Sequence, residues 1–427
     1  MGTVLIKNGT VIDPAAGIEK KADLWLEDGR ITKIQAGIRK KADETLDAKG
    51  CYVMPGIIDL HVHLRDPGQE YKETVETGAA AALKGGITTM VAMPNTKPAA
   101  DHADLINFVQ NKARSVTKCH VIQAGCITKK MEGKELSDLQ GMIDAGCRVF
   151  SEDGKSVMNA QLYKQAMELF AANDCIVLAH CEDINLVNGG VMNDDERAKE
   201  LGLPGISNSV EDVITARDII LAKETGVHLH LCHCSTKDSV KMVEMARADG
   251  VSISAEVCPH HFSLCTEDIP GDDANYKMNP PLRTREDMEA LKAGLSAGTM
   301  DVISTDHAPH ARQEKAQSFL KAPFGITGLE TSVALTYTNL VRPGNLSILD
   351  MADRMSYRPA QILGLTEKGK ICEDAVADLI IFDPEKEWVI DPDQFVSKGH
   401  NTPFGGTKVY GEVKATLIDG EVVYRAE

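Results

Sequence analysis

The chain has 427 residues, 43% of them hydrophobic and 26% charged, and a formal net charge of -17. That length exceeds one small domain and suits a (β/α)8 barrel carrying a smaller appended domain. The acidic balance disfavours nucleic acid, whose phosphates need a basic surface, and it disfavours anionic membranes.

The N-terminal apolar run Val4-Leu5-Ile6 is too short for a secretory signal, and Ile6 breaks the myristoylation pattern that Met-Gly would open. Residues 1 to about 50 then read as short strands. Val4-Leu5-Ile6 and Thr10-Val11-Ile12 flank Asn8-Gly9, a hairpin signal, and the runs at 23–26 and 31–34 flank Asp28-Gly29, the same signal. The C-terminus is similar, with strand-like runs at 378–382, 407–410 and 415–418. There Asp419-Gly420 turns the chain into 421–424. Each end alone has too few strands to bury a face. One small β-sandwich-like domain is therefore expected from both termini, residues 1–52 and 368–427.

The middle, 53–367, alternates. Strand-like apolar runs fall at 57–63, 87–93, 119–125, 148–151, 175–180, 228–233, 252–257 and 301–306. Helix-like segments separate them, for example at 74–84, 160–172, 210–225, 239–248 and 286–295. Strands apolar on both faces and alternating with helices predict a parallel sheet, and eight such units predict a closed barrel. No G-x-G-x-x-G follows a first strand, so a doubly wound nucleotide fold lacks support. Residues 185–208 and 310–324 are long polar loops of the kind that form lids. No apolar run approaches a membrane span. The 11 cysteines, an odd number in no compact framework, read as reduced thiols of a cytoplasmic protein.

The strand ends carry the chemistry. The first ends in Asp59-Leu60-His61-Val62-His63-Leu64-Arg65, and alternation puts His61 and His63 on one face. The fourth runs into Ser151-Glu152-Asp153-Gly154, the fifth ends at His180, the sixth at His233 and the eighth at Asp306. A barrel places all of these at one rim. Four His and two Asp exceed one tetrahedral zinc, so two metals with a bridging carboxylate are expected. Arg65 beside them suggests an anionic ligand. Cys232 and Cys234 alternate away from His233 and read as packing residues. His228, His230 and His307 read as structural, His260 and His261 as structural or as partners of ligands, Asp59 as a group orienting a ligand imidazole or a buried structural one, and Glu182 and Asp183 as solvated or as partners of ligands.

This array resembles the amidohydrolase superfamily and, within it, the bacterial class I dihydroorotases. The carrying residues are the His-x-His-Leu-Arg stretch, Met93-Pro94-Asn95-Thr96, Ala179-His180-Cys181-Glu182, Pro259-His260-His261, Lys277-Met278-Asn279-Pro280-Pro281-Leu282-Arg283, Thr305-Asp306-His307-Ala308-Pro309-His310 and Lys321-Ala322-Pro323-Phe324-Gly325. The resemblance implies two zinc ions: His61, His63 and Asp306 on one, His180 and His233 on the other, and Asp153 on both. Lys155 is the competing bridge, as a carboxylated lysine. It implies a metal-bridging hydroxide as nucleophile and Asp306 as general base and acid. It assigns Arg65, Asn95 and His310 to a substrate carboxylate and Asn279 to a pyrimidine ring. Contacts at His63, Leu64, Phe324 and Gly325 complete the set. The implied reaction closes N-carbamoyl-L-aspartate to dihydroorotate. A homodimer, and in some relatives association with aspartate transcarbamoylase, follow from the same resemblance. A dihydropyrimidinase or allantoinase, a catalytically dead scaffold for a transcarbamoylase, and a metal-storage protein are the rival readings.

Overall fold

A computed structural model of the chain describes residues 2–426. Eight parallel strands make the barrel: Ile57–Val62, Ile87–Ala92, His120–Gln123, Val149–Ser151, Ile176–Ala179, His228–Leu231, Ile253–Val257 and Val302–Ile303. Gly125–Cys126 continues the third strand and pairs with the fourth, Phe150 opposite Gly125. The ring closes where Val62 bridges His307 in parallel and the His63 N–H donates to the His307 carbonyl at 2.8 Å.

Each strand is followed by a helix, among them Val75–Lys84, Ala160–Ala172, Ser209–Thr225, Lys237–Ala248 and Arg285–Ala297. Local signals set their ends. The Thr284 hydroxyl accepts from the Asp287 N–H at the start of Arg285–Ala297, and Gly298 at φ 79° stops it. The strands are apolar on both faces because each face has a partner. Ile58, Leu60, Val91, Ala124, Val149, Leu178 and Val302 fill the barrel, and Ile57, Met90, Phe150, Val177 and Leu229 pack on the helices. No helix among the described residues is long and apolar enough to cross a membrane.

Both termini build one sheet. Its strand order is Glu421–Arg425, Lys408–Ile418, Leu379–Val389, Tyr52–Pro55, Val4–Asp13, Ile18–Glu27 and Arg30–Gln35, with Glu44–Asp47 added beside Val4–Asp13. Its buried face carries Ile6, Leu24, Leu26, Val53, Leu379 and Leu417. Asp28-Gly29 and Asp419-Gly420 turn hairpins with positive φ at both residues, the type I′ geometry that matches strand twist. Asn8-Gly9 does not turn the chain. Val4–Asp13 is one strand with a register shift there, Asn8 sits at φ 62°, and its N–H donates to Asp23 Oδ1. A Cβ on Gly9 would stand 2.6 Å from Val53 Cγ2, so this glycine serves close strand packing. The reversal comes at 14–17 instead. Likewise 407–410 and 415–418 lie in one long strand, Lys408–Ile418.

Candidate active site

The barrel strands end earlier than their apolar runs suggest, and the reason lies in the backbone. Arg65, His233 and Asp306 have φ of 59°, 34° and 47°, a left-handed conformation costly for residues with a Cβ. The chain leaves the sheet at these points, and plain side-chain alternation ends with it. Cys232 shows the consequence. It packs in the barrel interior, but its sulfur also falls within 4.8 Å of ligand-competent atoms of His61 and Glu256. It does not face away from the site as alternation implies.

His61, His63, Asp153, His180, His233 and Asp306 all come together, buried, at this rim. His61 Nε2 lies 3.1 Å from Asp153 Oδ1 and 3.5 Å from Asp306 Oδ1. His63 Nε2 lies 3.1 Å from Asp306 Oδ1 and 3.4 Å from Asp153 Oδ2. His180 Nδ1 is 2.8 Å from His233 Nε2 and 3.6 Å from Asp153 Oδ1. His233 Nε2 is 3.9 Å from the same oxygen. Asp153 thus reaches all four imidazoles. Lys155 is exposed and its ammonium donates to the Met131 carbonyl at 2.8 Å, outside the cluster.

The partners of the outer ring nitrogens fix what the inner ones can do. His61 Nδ1 donates to Glu256 Oε1 at 2.9 Å, His63 Nδ1 to Asn95 Oδ1 at 2.9 Å and His180 Nε2 to Glu182 Oε2 at 3.1 Å. A neutral imidazole that donates from one nitrogen presents a lone pair at the other. Three lone pairs therefore face two carboxylates across a buried centre. His61 Nε2 and Asp153 Oδ1 have no hydrogen-bond partner. Such an arrangement needs a cation. Burial disfavours a charged His61, yet the Asp153 and Asp306 carboxylates override it and raise its pKa well above the ordinary value. Burial likewise opposes ionisation of Asp306, while His61 and His63 hold it down to about 2. Nitrogen and carboxylate donors in this number suit divalent transition metals, and each outer partner orients its ligand. The residues present fit a metal centre.

A cavity of about 330 Å3 opens over the cluster. Arg65, Asn95, Asn279, His310, Phe324 and Gly325 line it with His63, Asp153, His180, His233 and Asp306. Arg65 is anchored by Nε to the Pro309 carbonyl at 3.3 Å. Asn95 also donates to Asp153 Oδ2 at 3.0 Å, and Asn279 donates to Glu182 Oε1 at 2.9 Å. Glu182 therefore ties a ring ligand to a cavity residue rather than facing solvent. Gly325 sits at φ 130°, and a Cβ there would meet Ala308 Cβ at 2.7 Å and His310 Nε2 at 3.1 Å. His61 lies beneath the cavity. Leu64 does not line it: its side chain packs in the core with Cδ2 against Gly78.

Several residues of the site escaped the sequence. Gln69 and Lys72 line the cavity from the loop after the first strand. Glu256 accepts from His61, His230 and the His233 N–H. Asn401 donates to the Ala308 and Gly325 carbonyls and accepts from the His310 N–H. A carboxylate inside the apolar run 253–257 was the one legible signal among them. His307 is structural: Nε2 lies 3.3 Å from Glu73, and Nδ1 accepts from the Gly328 N–H.

Comparisons with known proteins give the family. Residues 50–239 match a dihydro-orotase-like family, and residues 272–424 match an amidohydrolase family. The chain is 45% identical over 425 residues to a dihydroorotase of Staphylococcus epidermidis, covering 99% of both chains. It is 45% identical to a dihydroorotase of Pelotomaculum thermopropionicum, covering 98% of both. Among solved structures, an L-hydantoinase (dihydropyrimidinase) from Arthrobacter aurescens superposes with a TM-score of 0.87 at 27% identity. That match covers 100% of this chain and 96% of the other. A D-hydantoinase (dihydropyrimidinase) from a Thermus species gives 0.85 at 28%, covering 99% and 95%. The hydantoinases share the architecture, and the full-length relatives at 45% identity narrow it: this chain belongs to the dihydroorotase family of metal-dependent amidohydrolases.

Proposed function

We propose that the chain catalyses the reversible closure of N-carbamoyl-L-aspartate to (S)-dihydroorotate with loss of water, a step of pyrimidine nucleotide synthesis. One observation carries this reading: the cavity over the metal-ready cluster has a cationic wall, with Arg65 and Lys72 beside His310. A ring substrate bearing a carboxylate pairs with that wall. A neutral ring would offer the Arg65 guanidinium no counter-charge.

His61, His63 and Asp306 would hold one zinc ion, His180 and His233 a second, and Asp153 both. Bound zinc supplies Lewis acidity and lowers the pKa of water from 15.7 to about 7. The remaining chemistry belongs to the chain. In the hydrolytic direction oxygen adds to the ring amide carbonyl carbon, the carbon–nitrogen bond breaks, and Asp306 passes a proton from the attacking water to the departing nitrogen. In the closing direction Asp306 takes that proton from the ureido nitrogen. Arg65 grips the substrate carboxylate with Asn95 and His310. Asn279 bonds the ring, and contacts at Phe324 and Gly325 add to it. A homodimer, association with an aspartate transcarbamoylase and a cytoplasmic location belong to the same proposal, supported by the resemblance.

The structural likeness to hydantoinases favours a second reading, a dihydropyrimidinase acting on a ring without a carboxylate. One assay separates the two. Purified protein with zinc should turn over dihydroorotate and not dihydrouracil or allantoin. Turnover of the latter two alone would establish the second reading. No turnover of any of them would favour a scaffold.

A further inference from the structure

We propose that Lys72 is a positioning residue that locks His310 as the neutral imidazole protonated on Nε2, so that its single N–H stays committed to the Phe324 carbonyl at the edge of the carboxylate site. The carboxylate half of this statement rests on the proposed function. The lock itself does not.

Lys72 is buried, in the loop after the first barrel strand. Its Nζ stands 3.2 Å from His310 Nδ1 and 3.1 Å from Glu314 Oε1. An ammonium has three donors and no lone pair, so Nδ1 must accept and the ring proton must sit on Nε2. The other side of the ring agrees independently. Nε2 lies 2.8 Å from the Phe324 carbonyl oxygen, which can only accept. The His310 main chain is held as well, its N–H donating to Asn401 Oδ1 at 3.0 Å.

The charged groups facing the ring are Arg65 and Lys72 from the first-strand loop and Glu314 and Lys315 from the short helix Arg312–Lys315. Glu314 is the competitor. Its Oε2 is 3.6 Å from Nδ1 and would pair with a proton there. Lys72 engages Glu314 and Nδ1 together, which denies the ring that second proton. Burial, with Arg65, Lys72 and Lys315, presses the His310 pKa down to about 2. Without Lys72, Nδ1 would face Glu314 directly and the ring would take up a proton more readily, against the burial and the Arg65 charge that remain.

The test is nitrogen NMR of histidine-labelled protein with zinc bound, the His310 signals assigned by their loss in His310→Asn. The wild type should show Nδ1 unprotonated and Nε2 protonated from pH 5.5 to 8.5. Lys72→Met should show the onset of imidazolium shifts at a higher pH than the wild type. Lys72→Arg, a donor-only cation, should keep the wild-type pattern. In steady-state assays KM for dihydroorotate in Lys72→Met should exceed the wild-type value by about tenfold, with kcat within about threefold. Protonation of wild-type His310 above pH 5, or unchanged His310 signals in Lys72→Met, overturns the lock. If Lys72→Met fails to fold, the wild-type spectra and Lys72→Arg still decide. Altered signals with an unaltered KM would support the lock and remove His310 from the carboxylate site. Failure of the wild type to use dihydroorotate counts against the proposed reaction alone, because the spectra need no substrate.

Discussion

His61 donates from Nδ1 to Glu256 Oε1 at 2.9 Å, between side chains with no exposed surface, 195 residues apart in the chain. This bond fixes the tautomer that aims the His61 Nε2 lone pair into the cluster. Glu256→Gln keeps the shape and removes the charge. Metal affinity should fall by roughly 10–100-fold, the usual cost of losing such an orienting partner. Competition against a chelator measures it, and an unchanged affinity would remove Glu256 from the account.

Arg65 lines the cavity and is anchored to Pro309 rather than to any ligand of the cluster. Arg65→Ala should raise KM for dihydroorotate by roughly 10–100-fold, since a hydrogen bond to a charged group contributes about 1.5–3 kcal/mol. Metal per chain should not change. Loss of metal together with substrate binding would contradict the separation of roles.

Asp306 touches His61 and His63 and is held ionised, with its pKa near 2, against the effect of burial. Asp306→Asn should lower kcat by about 10²–10⁴-fold, the range for a positioned base, with a much smaller change in KM. Retained turnover would exclude it as the proton carrier.

The segment before Gly325 is pinned by Lys315, whose Nζ donates to the Lys277, Pro323 and Gly325 carbonyls at 2.9–3.1 Å. Lys315→Met leaves three acceptors without that donor. Residues 310–324 should then be cleaved faster by protease, and KM should rise more than kcat falls. Dihydroorotate should protect this loop in the wild type. Equal cleavage with and without ligand would count against closure over substrate.

The barrel was legible because its strands are apolar runs alternating with helix-like segments, and four of them close on residues that change the chemistry: His61 and His63, His180, His233 and Asp306. Those side chains lie at the rim because strand ends do. What orders them was not legible. Glu256, Asn401 and Lys72 reach the site from loops or strands far away in sequence, and no local period reports such meetings. Strand lengths were overestimated where His233 and Asp306 adopt positive φ, a strain imposed by the assembled site. The Asn8-Gly9 dipeptide misled because the same backbone conformation serves a bulge as well as a turn.

The most direct measurement combines zinc content and substrate choice in one sample. Protein reconstituted with zinc and freed of excess metal should hold about two ions per chain, as the proposed sharing of Asp153 between two ligand sets predicts. The same sample should convert dihydroorotate and N-carbamoyl-L-aspartate into each other and leave dihydrouracil untouched. A metal-loaded sample that opens dihydrouracil but not dihydroorotate would contradict the account, because Arg65 would then have no carboxylate to grip.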